Sequence, residues 1–264
     1  MSHDAALLLY AAITVLGLIV LVAKFRLHAF LALIVASLFV GLCSGMPLVE
    51  IAKAFQLGVG TTLGFIAVVV GLGTMLGKML AESGGAEVVA STFIRAFGPS
   101  RLPWAMMLVG FVVGIPVFFA VGLVLLVPIL FTLVRDTKAP LLSLAIPMIA
   151  GLSAAHGLVP PHPGPMVAIE KLGADVGKTI FYSIIIGLPC AVVCGPIFGA
   201  WISRKIPLAP AAAAECLTGS SSRKNLPGFG PTLFTILLPV ALMLVSTIAS
   251  LTWPAGHRMR AWAR

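Results

Sequence analysis

Charge is scarce in this 264-residue chain: Asp, Glu, Lys and Arg together make up 9% of it, against about 25% in an ordinary soluble domain. Acidic residues are the scarcest, 8 against 17 Lys and Arg. With 60% of residues apolar and a mean hydropathy of +1.14, too little polar surface exists to cover a globule in water. That excludes a soluble fold and points to lipid as the solvent. Cysteines are few as well: Cys43, Cys190, Cys194 and Cys216 form no CxxC pair, which removes the usual zinc-ribbon and redox motifs. Cys190 and Cys194 are four apart and share a helix face, where they read as small apolar packing residues. No HExxH is present, and His156 and His162 stand six apart without an adjacent Glu, so an intramembrane metalloprotease is disfavoured. We expect no metal, no cofactor and no enzymatic activity. A basic leader region and a cleavage site are also missing, so the opening MSHDAALLLYAAITVLGLIVLVAKFR reads as a retained span.

What charge there is sits at the ends of apolar runs: Lys24 and Arg26, Arg204 and Lys205, Arg223 and Lys224. The net charge of +9 therefore reads as topogenic charge beside lipid headgroups and not as a nucleic-acid surface. Ala5–Ala23 and Leu27–Cys43 are uncharged runs that predict a helical hairpin, since a span needs about 20 apolar residues. Residues 47–56, with Glu50 and Lys53, read as interfacial. Leu57–Gly77 is a glycine-rich span in which Gly60/Gly64 and Gly73/Gly77 have small-xxx-small spacing, a pattern for close helix packing. In Lys78–Arg101, Gly84-Gly85 precedes a short amphipathic helix. Leu102–Val134 carries no charge over 33 residues. It would reach roughly 50 Å as one helix, so a break is expected at Gly114-Ile115-Pro116 and strain at Pro128. The apolar stretch Ala139–Leu152 is short for a span. Further spans are predicted at Ile180–Ile202, interrupted by Pro189 and Pro196, and at Thr232–Trp253. The basic 204–224 loop belongs in the cytoplasm by the positive-inside rule, and Lys24, Arg26 and the 78–101 stretch fit the same side with the N-terminus outside.

The sharpest local signal is His156-Gly157-Leu158-Val159-Pro160-Pro161-His162-Pro163-Gly164-Pro165. Four prolines in six residues exclude a continuous helix, yet apolar sequence lies on both sides. This predicts a re-entrant or unwound segment. A broken helix leaves peptide groups unpaired and turns half-helix N-termini, the positive dipole ends, toward the gap. That suits a carboxylate, and imidazole can bind a hydroxyl or take up a proton near neutral pH. A solvated external loop is the competing reading.

The stretches KFRLHAFLALIVASLFVGLCSGMPL, GVGTTLGFIAVVVGLGTMLGKMLAESGGA, VGFVVGIPVFFAVGLVLLVPILFTL and, most specific, LSAAHGLVPPHPGPMVAIEKLGADVGKTI resemble the gluconate permease family, the gluconate:proton symporters of bacteria. The resemblance covers residues 5–256. It implies an all-α polytopic bundle with broken or re-entrant helices, like the first repeat of the ion-transporter superfamily. It also implies secondary active import of gluconate or a related sugar-acid anion, with protons, across the bacterial inner membrane. Carried onto this chain, the substrate-binding residues are His156, Gly157, Pro160, Pro161, His162, Pro163 and Gly164 in the unwound segment, and Gly114, Pro116 and Gly122 in the broken helix. His156 and His162 are the proton-coupling candidates.

Two departures accompany the resemblance. Ala120, in FFAVG, stands where the family usually has an acidic residue. Alanine cannot hold a proton, so coupling by that site passes to His156 or His162. Family members also continue through a second repeat, whereas this chain closes on HRMRAWAR. The expected organisation is a first transmembrane repeat at 1–203, a cytoplasmic linker at 204–230, and the start of a further span at 231–264. The expected partners are the anion, protons and lipid, with a homo-oligomer or a polypeptide supplying a second half as protein partners. The alternative function is a non-transporting membrane remnant or assembly partner.

Overall fold

The computed structural model describes residues 3–206 and 226–252. Most of the basic linker (207–225, with Cys216, Arg223 and Lys224) and the tail (253–264) lie outside the described residues. Among the described residues all regular structure is helical, as the sequence predicts. The chain divides into two compact units, Met1–Ile66 and Ala67–Arg264.

The first unit holds the hairpin α1 (His3–Ala23) and α2 (Ala29–Cys43) and the first part of α3 (Leu48–Glu82). His28 caps α2, its Nδ1 accepting the Phe30 amide at 3.3 Å. Residues 48–56 are helical, not a separate interfacial segment. Nothing between Pro47 and Gly77 breaks a helix, and Pro47 sits just before the first turn, where its missing N–H costs nothing. Gly41 lets α2 lie against Ile51, whose Cγ1 is 2.6 Å from where a Cβ would stand. Large apolar side chains such as Leu8, Leu16, Phe30 and Leu57 are exposed, the surface expected of helices solvated by lipid.

The second unit contains the rest of α3, then α4 (Gly85–Phe97), α5 (Leu102–Gly114), α6 (Phe119–Thr137), α7 (Leu141–Leu158), α8 (Pro163–Leu172), α9 (Val176–Val192), α10 (Phe198–Lys205) and α11 (Phe229–Thr252). The amphipathic helix expected after Gly84 is α4. It turns back sharply on the next segment, with 108° between Gly85–Phe97 and Pro99–Gly114, and it buries Ala86, Val88, Val89 and Ala90. Three helical stretches here are long and apolar enough to cross a membrane: Phe119–Thr137, Leu141–Leu172 and Val176–Lys205, beside Asp4–Ala23 of the first unit.

The centre of this unit is the crossing of α5 and α7. A Cβ on Gly110 would fall on the Met148 carbonyl and 3.2 Å from the Leu152 amide. One on Gly151 would fall on the Met107 carbonyl and 2.7 Å from the Phe111 amide. The two backbones therefore touch, glycine of each against the other. Dispersion between close-packed backbones is the main attraction between helices in lipid. Met106, Val109, Val113, Leu144, Met148 and Leu152 fill the space around the crossing.

The prolines act less uniformly than their number suggests. Pro128 and Pro147 lie inside continuous helices. Pro196 is absorbed by a π-turn at Val193–Ile197, where an extra residue relieves the clash with the preceding turn. α7 runs on to Leu158, longer than the apolar stretch alone suggests, because nothing before Pro160 stops it. Cys190 and Cys194 are both exposed and do not pack in the core.

The two glycine pairs of α3 behave differently. Gly73 and Gly77 meet Phe118 and Val117, each 3.4 Å from the Cβ position, while Gly60 and Gly64 have nothing within 4 Å. Gly77→Leu is expected to lower stability by about 1–3 kcal/mol through overpacking against Val117. Gly60→Leu is expected to stay within about 0.5 kcal/mol or to gain slightly. Thermal unfolding in detergent checks the contrast.

Candidate functional site

Two interruptions build the site. α5 stops at Gly114 because Pro116 has no N–H and its ring clashes with the turn before it. After residues 115–118, α6 restarts behind Phe118, whose carbonyl accepts the Gly122 amide at 2.8 Å. The N–H groups of Phe119, Ala120 and Val121 thus precede the first helical acceptor, the usual orphans of a helix start. The second interruption is Val159–His162. His162 heads α8, its carbonyl accepting the Met166 amide at 3.1 Å. Pro163 and Pro165 carry no N–H, which leaves Gly164 as the donor of that first turn.

One carbonyl at the end of each of the two helices that stop here is taken up by a neighbouring helix. The imidazole Nε2 of His162 donates to the Gly114 carbonyl at 2.7 Å, one of the carbonyls that the end of α5 leaves free. The Ser183 hydroxyl of α9 donates to the Leu158 carbonyl at 2.7 Å, doing the same for α7. His162 is 3% exposed and His156 is partly exposed.

The two histidine rings meet. Their Nδ1 atoms are 3.1 Å apart and their centroids 4.4 Å. Phe118 lies edge-on to both, 5.7 Å from His156 and 5.9 Å from His162, and Phe119 lies 6.5 Å from His156. Because a carbonyl only accepts, the Gly114 bond fixes the His162 proton on Nε2. In the neutral ring Nδ1 of His162 is then an acceptor, so Nδ1 of His156 must donate to it. The remaining atom, Nε2 of His156, has no partner among the described residues. The result is a polarised row that ends on one open valence. Phe118, the cap of α6, lies against both rings and His162 is itself the cap of α8, while the ends of α5, through Gly114, and of α7, through His156, stand at the same pair. A helix start carries roughly half a positive charge and a helix end roughly half a negative one, so ends of both signs meet at the row. Among the described residues no acidic or basic side chain bonds to the pair.

Of the residues predicted from sequence, Gly114, His156 and His162 form one hydrogen-bonded row. The segment is narrower than expected. His156 and Gly157 belong to the last turn of α7, and Pro163 and Gly164 to the first turn of α8, where proline fits without losing a bond. Only Val159, Pro160, Pro161 and His162 are non-helical. Gly157 and Gly164 are exposed with nothing within 4 Å of a Cβ. Pro160 is buried. Pro116 is buried too, and its carbonyl lies 3.7 Å from the Cβ position of Gly73. Gly122 serves packing, with Leu152 Cδ2 2.7 Å from its Cβ position. Ala120 is exposed in the first turn of α6. Phe118, Phe119 and Ser183 were not predicted. The aromatic pair directly after the Gly-Ile-Pro break was a readable signal for the first two, whereas nothing in sequence links Ser183 to Leu158.

Residues 6–264 match the family described as GntP family permease. A gluconate permease of Pseudomonas aeruginosa is 54% identical over 263 residues, covering 99% of this chain and 58% of the relative. One of Zymomonas mobilis is 51% identical with the same coverage. A D-serine transporter of Escherichia coli strain K12 is 44% identical over 239 residues, 90% of this chain and 54% of that protein. The chain thus spans a little over half the length of these relatives. No solved structure matches it significantly. The apolar spans, the broken helix pair and the family match make this a multi-pass membrane protein, and the chain belongs to the GntP family of permeases.

Proposed function

We propose that this chain takes part in importing gluconate or a related sugar-acid anion, with protons, across the bacterial inner membrane. The observation that carries the reading is the hydrogen-bonded His156–His162 pair, set against Phe118 at the cap of α6 and at the head of α8. The anion's carboxylate is drawn to the free N–H groups at the starts of α6 and α8. A substrate hydroxyl donates to Nε2 of His156, or the protonated ring donates to the carboxylate. The high identity to two gluconate permeases supports the substrate class. The D-serine transporter among the relatives fits the same chemistry, since a hydroxyl and a carboxylate are common to both ligands. Alternating access would open this row to one side of the membrane and then the other.

The test is uptake of labelled gluconate into proteoliposomes under an inward proton gradient, with D-serine as competitor. His156→Gln is expected to cut uptake about 10- to 100-fold, the loss of one hydrogen bond to a charged group. Unchanged uptake in that variant, or gluconate accumulation indifferent to the gradient, would contradict the reading.

A further inference from the structure

We propose that the His156–His162 pair takes up one proton beyond its neutral form and never a second, with His156 Nε2 as the atom that gains and loses it and His162 as its positioning residue. The donor and acceptor count carries this. Gly114 keeps a hydrogen on His162 Nε2 at 2.7 Å. The 3.1 Å line between the two Nδ1 atoms has room for one hydrogen. Two N–H bonds pointing along it would leave roughly 1 Å between their hydrogens, far inside contact distance. With one hydrogen there and one on His162 Nε2, the only ring nitrogen still free is His156 Nε2. A proton arriving from water forms the Nε2–H bond while the water O–H bond breaks, and His156 becomes an imidazolium that donates from both nitrogens. The hydrogen between the two Nδ1 atoms can bond to either ring, and the charge rests on the ring that keeps it. His162 is 3% exposed and His156 partly exposed, so the better-solvated His156 carries the charge and His162 stays neutral. Release reverses the step and returns the proton to water on the other side.

No other group competes for this proton at the pair. α5 presents Gly114, α6 presents Phe118 and Phe119, and α7 carries no charged residue apart from His156. The remaining charged groups of the packed elements are exposed: Glu50 and Lys53 at the far end of α3, and Lys78 and Glu82, paired with each other; Arg135 and Asp136 at the far end of α6; Glu170 and Lys171 at the far end of α8; and the cap Asp175 and Lys178 of α9, with Tyr182 also exposed. Ser183 is committed to Leu158. One proton entering with a monoanion moves no net charge, so the membrane potential does not drive that step. The carrier role rests on the transport reading; the proton count does not.

The experiment is nitrogen NMR of the chain with isotope-labelled histidine in lipid nanodiscs, titrated between about pH 5 and about pH 8, with and without gluconate. His156→Gln and His162→Gln variants assign the signals. Expected is a combined uptake of one proton, on His156 Nε2, with His162 held as the Nε2–H form at every pH. Glutamine at 162 can still donate to Gly114 and accept from His156, so His162→Gln keeps the single uptake, whereas His156→Gln loses it. Uptake of two protons by the pair, a His162 ring protonated on Nδ1, or uptake surviving in His156→Gln would overturn the inference. If the one-proton pattern holds but gluconate leaves the His156 signal unmoved, the transport reading fails and the proton count stands.

Discussion

Gly151→Ala is expected to destabilise the protein by about 3 kcal/mol and to separate His162 from the Gly114 carbonyl. Two effects compete at this position. Alanine is the better helix former, worth about 1 kcal/mol over glycine. Against that, the new methyl group would sit on the Met107 carbonyl and 2.7 Å from the Phe111 amide. Both obstacles are backbone, and neither can rotate away, so α5 and α7 must move apart along a buried crossing. The overpacking term is the larger, and the sign is destabilising. Gly157→Ala is the internal control: it lies on the same helix with nothing within 4 Å, and only the propensity gain remains. Thermal unfolding in detergent is expected to move the two variants in opposite directions. The site is affected because Gly114 follows Gly110 by one turn on α5 and lies against Ala155, 3.1 Å from its own Cβ position. The crossing therefore sets where that carbonyl points.

His162→Leu is expected to abolish gluconate uptake and to cost about 1–3 kcal/mol, the penalty for leaving the buried Gly114 carbonyl without a donor. Leucine fills the volume but supplies neither the bond to Gly114 nor the acceptor for His156. Freed of that acceptor, the His156 ring can turn, and its Nε2 no longer has a fixed direction. His162→Gln is expected to recover most of the stability and a measurable part of the uptake. An amide donates from nitrogen and accepts at oxygen, which is what the row requires at this position. If leucine and glutamine behave alike in both assays, the hydrogen-bonded row is not what holds the two interruptions together.

Much of this site could be read before the fold was known, and its limits are physical ones. The Gly-Ile-Pro break and the His-Pro segment are local signals, because proline changes backbone chemistry wherever it falls. They located both interruptions. The sequence overestimated the length of the second one: two of its four prolines stand in the first turn of α8, a position proline favours. What stayed hidden is long-range. The His162–Gly114 bond joins residues 48 apart, and no periodicity announces it. Gly110 and Gly151 look like isolated glycines in apolar runs until α5 and α7 are laid across each other. The glycine-rich α3 advertised two packing pairs, yet only Gly73 and Gly77 meet a neighbour among the described residues, because spacing gives a face and not the partner. Membrane character was legible throughout, since charge scarcity and run length depend on no tertiary contact.

An anion held for transport is expected to sit against the histidine row, beside the starts of α6 and α8. The most direct measurement is solid-state NMR distance transfer between the labelled carboxylate carbon of gluconate and the ring nitrogens of this chain in lipid. A contact to His156 Nε2 is expected, lost when unlabelled gluconate is added in excess. A bound carboxylate that shows contacts elsewhere in the protein and none to His156 would contradict it.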